Sequence, residues 1–306
     1  MDVCFLGTSG NLPTKTRSSS CVALSRKNDI WVFDCGEGSY KNLQASVLNS
    51  YLISKIFITH MHADHLLGLP GLLMSIINLR TPEQKKTFFI DLYGPRGLKQ
   101  YIQSNFELLN TSKLLKYIHF HEFPNFLHNA CIPIYEDSSV TVKGAYIHHT
   151  IECLGYIIEE KVQDMNPVSK YINNHKNELT DYLSSIKQQE ISNQINSHSI
   201  HKIVLLGDTD DASSIMPYAQ NTDILIHECT LLGTPTLLEQ KSGHSNASMA
   251  GSFAKSINAH NLILTHFSRK LNNVHGSEYT IIFDMAKEQY EKDSIIMAHD
   301  NLVITS

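Results

Sequence analysis

The sequence predicts an α/β fold in which two sheets pack face to face and helices cover both outer sides. Two observations carry this. Short apolar runs alternate with helical segments in both halves of the chain. In the second half, three of these runs end on polar residues. Lys202–Gly207 ends at Asp208, Asp223–Ile226 at His227 and Glu228, and Asn261–Thr265 at His266. Polar groups delivered by the ends of buried strands suit an active site on the rim of a rigid scaffold.

Taken in order, Val3–Leu6, Cys21–Leu24 and Ile30–Phe33 read as strands, being apolar runs bounded by Gly, Pro, Ser or Asn-Asp. Gly36-Glu37-Gly38 leads into a helix over Ser39–Leu48. Lys55–Thr59 is the next strand. Leu66–Leu79 follows as a helix, with Pro70 in its first turns, where proline is best tolerated. Phe88–Tyr93 reads as a strand, Arg96–Leu109 as a helix and Tyr117–Phe123 as a strand. Val140–His148 and Leu154–Ile158 form an antiparallel pair. The later helices are expected over Asp211–Ala219, Ser245–Ile257 and Ser277–Tyr290, and Ile295–Met297 and Leu302–Ile304 close the chain. Residues 159–201 break this rhythm. They hold no glycine, one proline and four lysines against six acids, a net of −2, with apolar residues at helical spacing. They read as an inserted helical arm in a single domain spanning 1–306.

The 306 residues are 42% hydrophobic, enough for a substantial core. A net charge of −5 gives no global basic field, so any nucleic-acid contact must be a local patch. The six cysteines contain no C-x-x-C pair and sit mostly in apolar runs, as reduced buried thiols do. Met1-Asp2-Val3-Cys4-Phe5-Leu6 reads as a strand rather than a leader, and no apolar run reaches the ~18–20 residues needed to span a bilayer. The expectation is a soluble, cytoplasmic protein.

Thr59-His60-Met61-His62-Ala63-Asp64-His65 carries the chemistry. It directly follows the apolar run Ile56-Phe57-Ile58. His60 and His62, two apart, point the same way while the backbone is extended, and Asp64 and His65 aim at a second point as the chain turns into a helix. Imidazoles and a carboxylate suit zinc or another divalent first-row metal. Four donors aimed at two points suggest a two-metal hydrolytic centre. Further donors are expected from His148 or His149, which face opposite ways on a strand, and from Asp208 and His266.

His60-Met61-His62-Ala63-Asp64-His65 resembles the signature of the metallo-β-lactamase superfamily. The surroundings resemble ribonuclease Z, the tRNA 3′-processing endonuclease family, in its short form. They are Phe5-Leu6-Gly7-Thr8-Ser9-Gly10, Pro13-Thr14-Lys15-Thr16-Arg17, Gly68-Leu69-Pro70-Gly71-Leu72-Leu73, Tyr93-Gly94-Pro95, Gly207-Asp208-Thr209, His227-Glu228-Cys229-Thr230 and Leu264-Thr265-His266. The likeness covers nearly the whole chain outside the arm. It implies an αββα sandwich with two zinc ions, for which manganese or iron could substitute. It also implies a homodimer, and a precursor tRNA whose 3′ trailer is removed by a metal-activated water attacking the phosphodiester.

By the same resemblance, His60, His62 and His149 hold one metal, while Asp64, His65 and His266 hold the other. Asp208 bridges the two. Asp64 also orients or deprotonates the nucleophile, His244 is the general acid, and Glu228 orients His244. Lys15, Arg17 and Lys270 are candidates for phosphate contacts. Asn246 stands where the family has threonine. The arm lacks the glycine/proline tip and basic character of many short-form members, which leaves a second activity open: hydrolysis of small or cyclic phosphodiesters on the same metal core.

Overall fold

A computed structural model describes residues 1–27, 29–123, 131–161, 201–233, 236, 239–270 and 277–305. The described residues form two seven-stranded sheets. The first uses β1 (Asp2–Gly7), β2 (Cys21–Arg26), β3 (Asp29–Phe33), β4 (Ile53–Phe57), β5 (Ile90–Gly94), β6 (Ile118–Glu122) and β14 (Val303–Ile304), in the order β14-β1-β2-β3-β4-β5-β6. The second uses β7 (Cys131–Glu136), β8 (Val140–Ile147), β9 (Cys153–Glu160), β10 (Lys202–Leu206), β11 (Ile224–Glu228), β12 (Asn261–Thr265) and β13 (Ile295–Met297), in the order β13-β12-β11-β10-β9-β8-β7.

The two sheets share one plan. Counting from β14 in the first and from β7 in the second, three antiparallel pairings are followed by three parallel ones. Parallel strands need crossovers, and the crossovers supply the covering helices.

Alternation along the strands explains the layering. In β1, Val3 and Phe5 point into the core between the sheets, while Cys4 and Leu6 point outward beneath helices. The outer face of the first sheet is covered by α1 (Ser39–Ala45), α3 (Leu69–Asn78) and α4 (Leu98–Leu108), through Leu43, Leu72, Ile76, Ile102 and Phe106. The second is covered by α5 (Ala247–Ser256) and α6 (Ser277–Tyr290), through Ala250, Ala254, Ile282 and Ala286. Between the sheets Phe33, Phe57 and Tyr93 stack in a row across β3, β4 and β5, with centroids 4.9 and 4.8 Å apart. The αββα expectation thus holds.

Three expectations change. The helix expected over 66–79 divides into α2 (Ala63–Leu66) and α3, because the Gly68 N–H donates to the Cys35 carbonyl at 2.9 Å instead of along the helix and Pro70 has no N–H to bond the Leu66 carbonyl. The region expected to be helical over 211–219 forms successive tight turns. Pro217 disfavours helical backbone at Met216, and Asp211 bonds the Ser213 N–H locally. Strand β7 lies outside the expected elements, and Pro133 falls within it. It lies at a sheet edge, where proline is tolerated. The arm expected at 159–201 begins within β9, which runs through Glu160, and the body of that prediction, 162–200, lies outside the described residues.

Candidate metal centre

The sheets bring the carboxyl ends of their parallel strands to one rim, and the loops leaving those ends carry the polar residues. Asp34 follows β3, and His60 to His65 follow β4. Asp208, Glu228 and His266 lie at the ends of β10, β11 and β12. His149 arrives from the end of β8. Asp34 and His266 both have a φ of 57°, the left-handed region that non-glycine residues adopt at a cost of order 1–3 kcal/mol.

Seven side chains converge in two groups that share Asp208, and each group can hold a metal ion. In the first, His62 Nδ1 lies 3.1 Å from both His60 Nε2 and His149 Nε2. Asp208 Oδ2 is 3.6 Å from His60 Nε2 and 4.0 Å from His149 Nε2. In the second, His65 Nε2 and His266 Nε2 are 3.2 Å apart, and Asp64 Oδ2 is 3.6 and 3.2 Å from them. Asp208 Oδ1 lies 3.4 and 3.3 Å from the same two nitrogens. The two oxygens of Asp208 therefore face different groups.

The outward nitrogens show that these imidazoles suit a cation. His149 Nδ1 donates to the Gly243 carbonyl at 2.7 Å, and His65 Nδ1 donates to Asp34 Oδ2 at 2.7 Å. Thr59 donates its hydroxyl proton to Asp34 Oδ2 at 2.8 Å, so its oxygen accepts from His60 Nδ1 at 3.0 Å. Each of these rings has its proton on Nδ1 and turns Nε2 inward as a lone-pair donor. Ring nitrogens packed this closely need a proton or a metal ion between them, and the neutral Nδ1–H tautomers leave that place to a metal.

Electrostatics follow the same division. Burial holds His60, His62 and His149 below the ordinary histidine value, which keeps them neutral, as ligands must be. Burial works against charge on His65 and His266 too, but Asp208, with Asp34 and Asp64 respectively, raises both. Burial alone would raise Asp208 and Asp64, yet the surrounding histidines hold both below the usual carboxylate range.

His244 sits beside this cluster, its ring centroid 5.1 Å from that of His149 and 5.7 Å from that of His266. Its Nδ1 donates to Glu228 Oε1 at 3.0 Å. Burial would lower its pKa, but the hydrogen bond and charge of Glu228 push it up to about 9. Asn246, in place of threonine, caps α5 by accepting from the Met249 N–H.

The other predicted residues are placed elsewhere. His148 points outward, paired with Asp210. Lys15 and Lys270 are exposed on loops that leave the rim. Arg17 is buried and turned inward, donating to Thr8 Oγ1 and the Ala298 carbonyl at 2.7 Å each and covering the Phe267 ring. Its guanidinium is committed within the protein rather than presented to a phosphate.

Sequence reasoning missed Asp34, the role of Thr59 as the partner of His60, and the Asn11 main-chain N–H, which donates to Asp64 Oδ2 at 2.6 Å. Asp34 carried a usable signal: like Asp208, it is a carboxylate directly after a buried strand, here Trp31-Val32-Phe33.

Fold and site together define a metallo-β-lactamase-fold protein with a divalent-metal centre. Comparison with known proteins narrows this. The family described as anti-Pycsar protein Apyc1 matches residues 1–290. Ribonuclease Z of Lactococcus lactis subsp. cremoris is 32% identical over 320 aligned residues, covering 95% of this chain and 99% of the relative. Ribonuclease Z of Streptococcus pneumoniae is 31% identical, covering 88% and 90%. Among solved structures, human tRNase Z, short form, superposes with a TM-score of 0.73 at 30% identity, covering 100% of this chain and 99% of that one. The Bacillus subtilis metallo-β-lactamase fold protein YhfI, at 18% identity and a TM-score of 0.68 over 99% and 98%, shares the fold. The chain belongs to the anti-Pycsar Apyc1 family and, through its curated relatives, to the ribonuclease Z lineage.

Proposed function

We propose that this chain is a metal-dependent phosphodiester hydrolase that removes the 3′ trailer from precursor tRNA, working in the cytoplasm as a homodimer with two zinc ions per subunit. The reading is carried by one observation: seven inward-facing donors and an adjacent Glu228–His244 pair lie in a chain aligned end to end with ribonuclease Z.

His60, His62 and His149 would hold one ion and Asp64, His65 and His266 the other, with Asp208 placed to serve both groups. The ions, when bound, lower the pKa of water and neutralise charge on the scissile phosphate. Asp64, fixed by the Asn11 N–H, orients the attacking water in line with the leaving 3′-oxygen. Nδ1 of His244 is held by Glu228, so Nε2 is the atom that delivers a proton to that oxygen. Lys15 and Lys270 lie on loops able to meet flanking phosphates.

A second reading, hydrolysis of small or cyclic phosphodiesters, is favoured by two observations. The matched family carries a name other than ribonuclease Z, and residues 159–201 bear a net charge of −2 where tRNA contact would call for basic residues. One metal-analysed preparation should be assayed on precursor tRNA with a 3′ trailer, on bis(p-nitrophenyl) phosphate and on cyclic mononucleotides, with Asp64→Ala alongside. Trailer removal at one position, lost in Asp64→Ala, supports the tRNA reading. Turnover of small diesters with an intact tRNA refutes it in favour of the second.

A further inference from the structure

We infer that Thr230 is a positioning residue that ties the Glu228–His244 pair to the ligand His266 and sets that ring to receive a cation.

Thr230 lies two residues beyond the end of β11, and its hydroxyl meets three polar atoms. These are Glu228 Oε2 at 2.5 Å, His266 Nδ1 at 2.8 Å and the His266 carbonyl at 3.0 Å. The hydroxyl has one proton, and the shortest contact takes it. Glu228 is the receiving end throughout: its other contacts are the Thr209 N–H at 2.7 Å, the Thr230 N–H at 3.3 Å and His244 Nδ1 at 3.0 Å, all donors. With its proton given to Glu228, the Thr230 oxygen must accept from His266 Nδ1–H. In the neutral ring, the form that binds metal, Nε2 of His266 is then the lone-pair atom, and it points at Asp64, His65 and Asp208.

This extends a pattern to a fourth of the five ligand histidines. His60 is set by Thr59, His65 by Asp34 and His149 by the Gly243 carbonyl. Thr230 does the same for His266, and it alone of these partners also touches the residue that holds His244. One carboxylate, Glu228, thus governs His244 directly and a ligand of the second group through one hydroxyl.

The inference rests on the metal reading of the cluster but not on the identity of the substrate. It is tested by titrating metal-free wild-type, Thr230→Val and Thr230→Ser proteins with Zn2+ against a chromophoric chelator, with thermal unfolding of the metal-free forms as a control. Valine keeps the shape and removes the hydroxyl; serine keeps the hydroxyl. The expected result is that Thr230→Val binds one of two equivalents about 10–100-fold more weakly. The other equivalent keeps its affinity, and Thr230→Ser matches wild type. Two equivalents of wild-type affinity in Thr230→Val would overturn the inference, as would equal loss in Thr230→Ser. If wild type itself takes up no zinc, the metal reading falls and this inference with it, an outcome distinct from the other two.

Discussion

Glu228 Oε1 lies 3.0 Å from His244 Nδ1, with the carboxylate buried and the histidine one-fifth exposed. A buried acceptor on one ring nitrogen favours the imidazolium and leaves Nε2–H toward the rim. The pKa of His244 is pushed up to about 9, so the form able to donate is populated below that value and lost as pH rises through it. In Glu228→Gln the negative charge is gone and His244 titrates lower. The alkaline limb of the pH–rate profile should therefore move to lower pH, measured at fixed metal loading. His244→Ala should lower kcat by about 10²–10⁴-fold. An unmoved alkaline limb in Glu228→Gln would contradict the assignment.

Asp34 should matter to both ligand groups. Its two oxygens take the Thr59 N–H, the Thr59 hydroxyl and His65 Nδ1–H. An asparagine has one acceptor oxygen for these three donors. Asp34→Asn should weaken zinc binding at both equivalents by about 10–100-fold, because His65 loses its partner directly and His60 through Thr59. Competitive zinc titration checks this. Loss at a single equivalent would show that Thr59 sets His60 without help from Asp34.

The layered fold, and most of the donors that cluster at the rim, were readable because each rests on a local pattern; the choice of His149 over His148 came from the family resemblance. Period-2 alternation in runs such as Val3–Leu6 places a residue between sheets or beneath helices without long-range knowledge. Donors such as Asp208 and His266 betray themselves by following buried strands. The interior placement of Arg17 was not readable. Its partners Thr8 and Ala298 are far apart in sequence, and only the assembled sheet brings the closing segment at Ala298 against the loop after β1. The partners of the metal histidines were hidden similarly, since Asp34 precedes His65 by 31 residues and meets it only across the β3–β4 pairing. Pro217 carries a local signal against the helix expected over 211–219.

The two kinds of cation near the rim should separate in experiment. Lys15 and Lys270 are exposed, so Lys15→Ala and Lys270→Ala should leave the unfolding midpoint unchanged. Each should weaken RNA binding and reduce the slope of log affinity against log salt by about 0.7 per lost phosphate contact. Arg17→Ala removes two internal hydrogen bonds from a buried cation and should destabilise the fold by about 2–4 kcal/mol. Urea unfolding and filter binding across a salt series distinguish them. A salt-slope change in Arg17→Ala at unchanged stability would return that residue to the phosphate-binding set.

The row of rings beneath the metal motif sets how rigidly the site is held. Phe57 is fully buried on β4, stacked between Phe33 and Tyr93, and the metal motif begins three residues later. Removing the ring leaves a cavity that its neighbours, fixed on adjacent strands, can fill only in part. Phe57→Ala should cost about 3–5 kcal/mol in urea unfolding of the metal-free protein. Phe57→Leu, which keeps much of the volume, should cost less. Because bound metal stabilises only the folded state, added zinc should raise the midpoint of both variants. A Phe57→Ala protein as stable as wild type would mean that the sheets close over the vacated space, and that the rim carrying His60 and His62 is less rigidly supported than this packing implies.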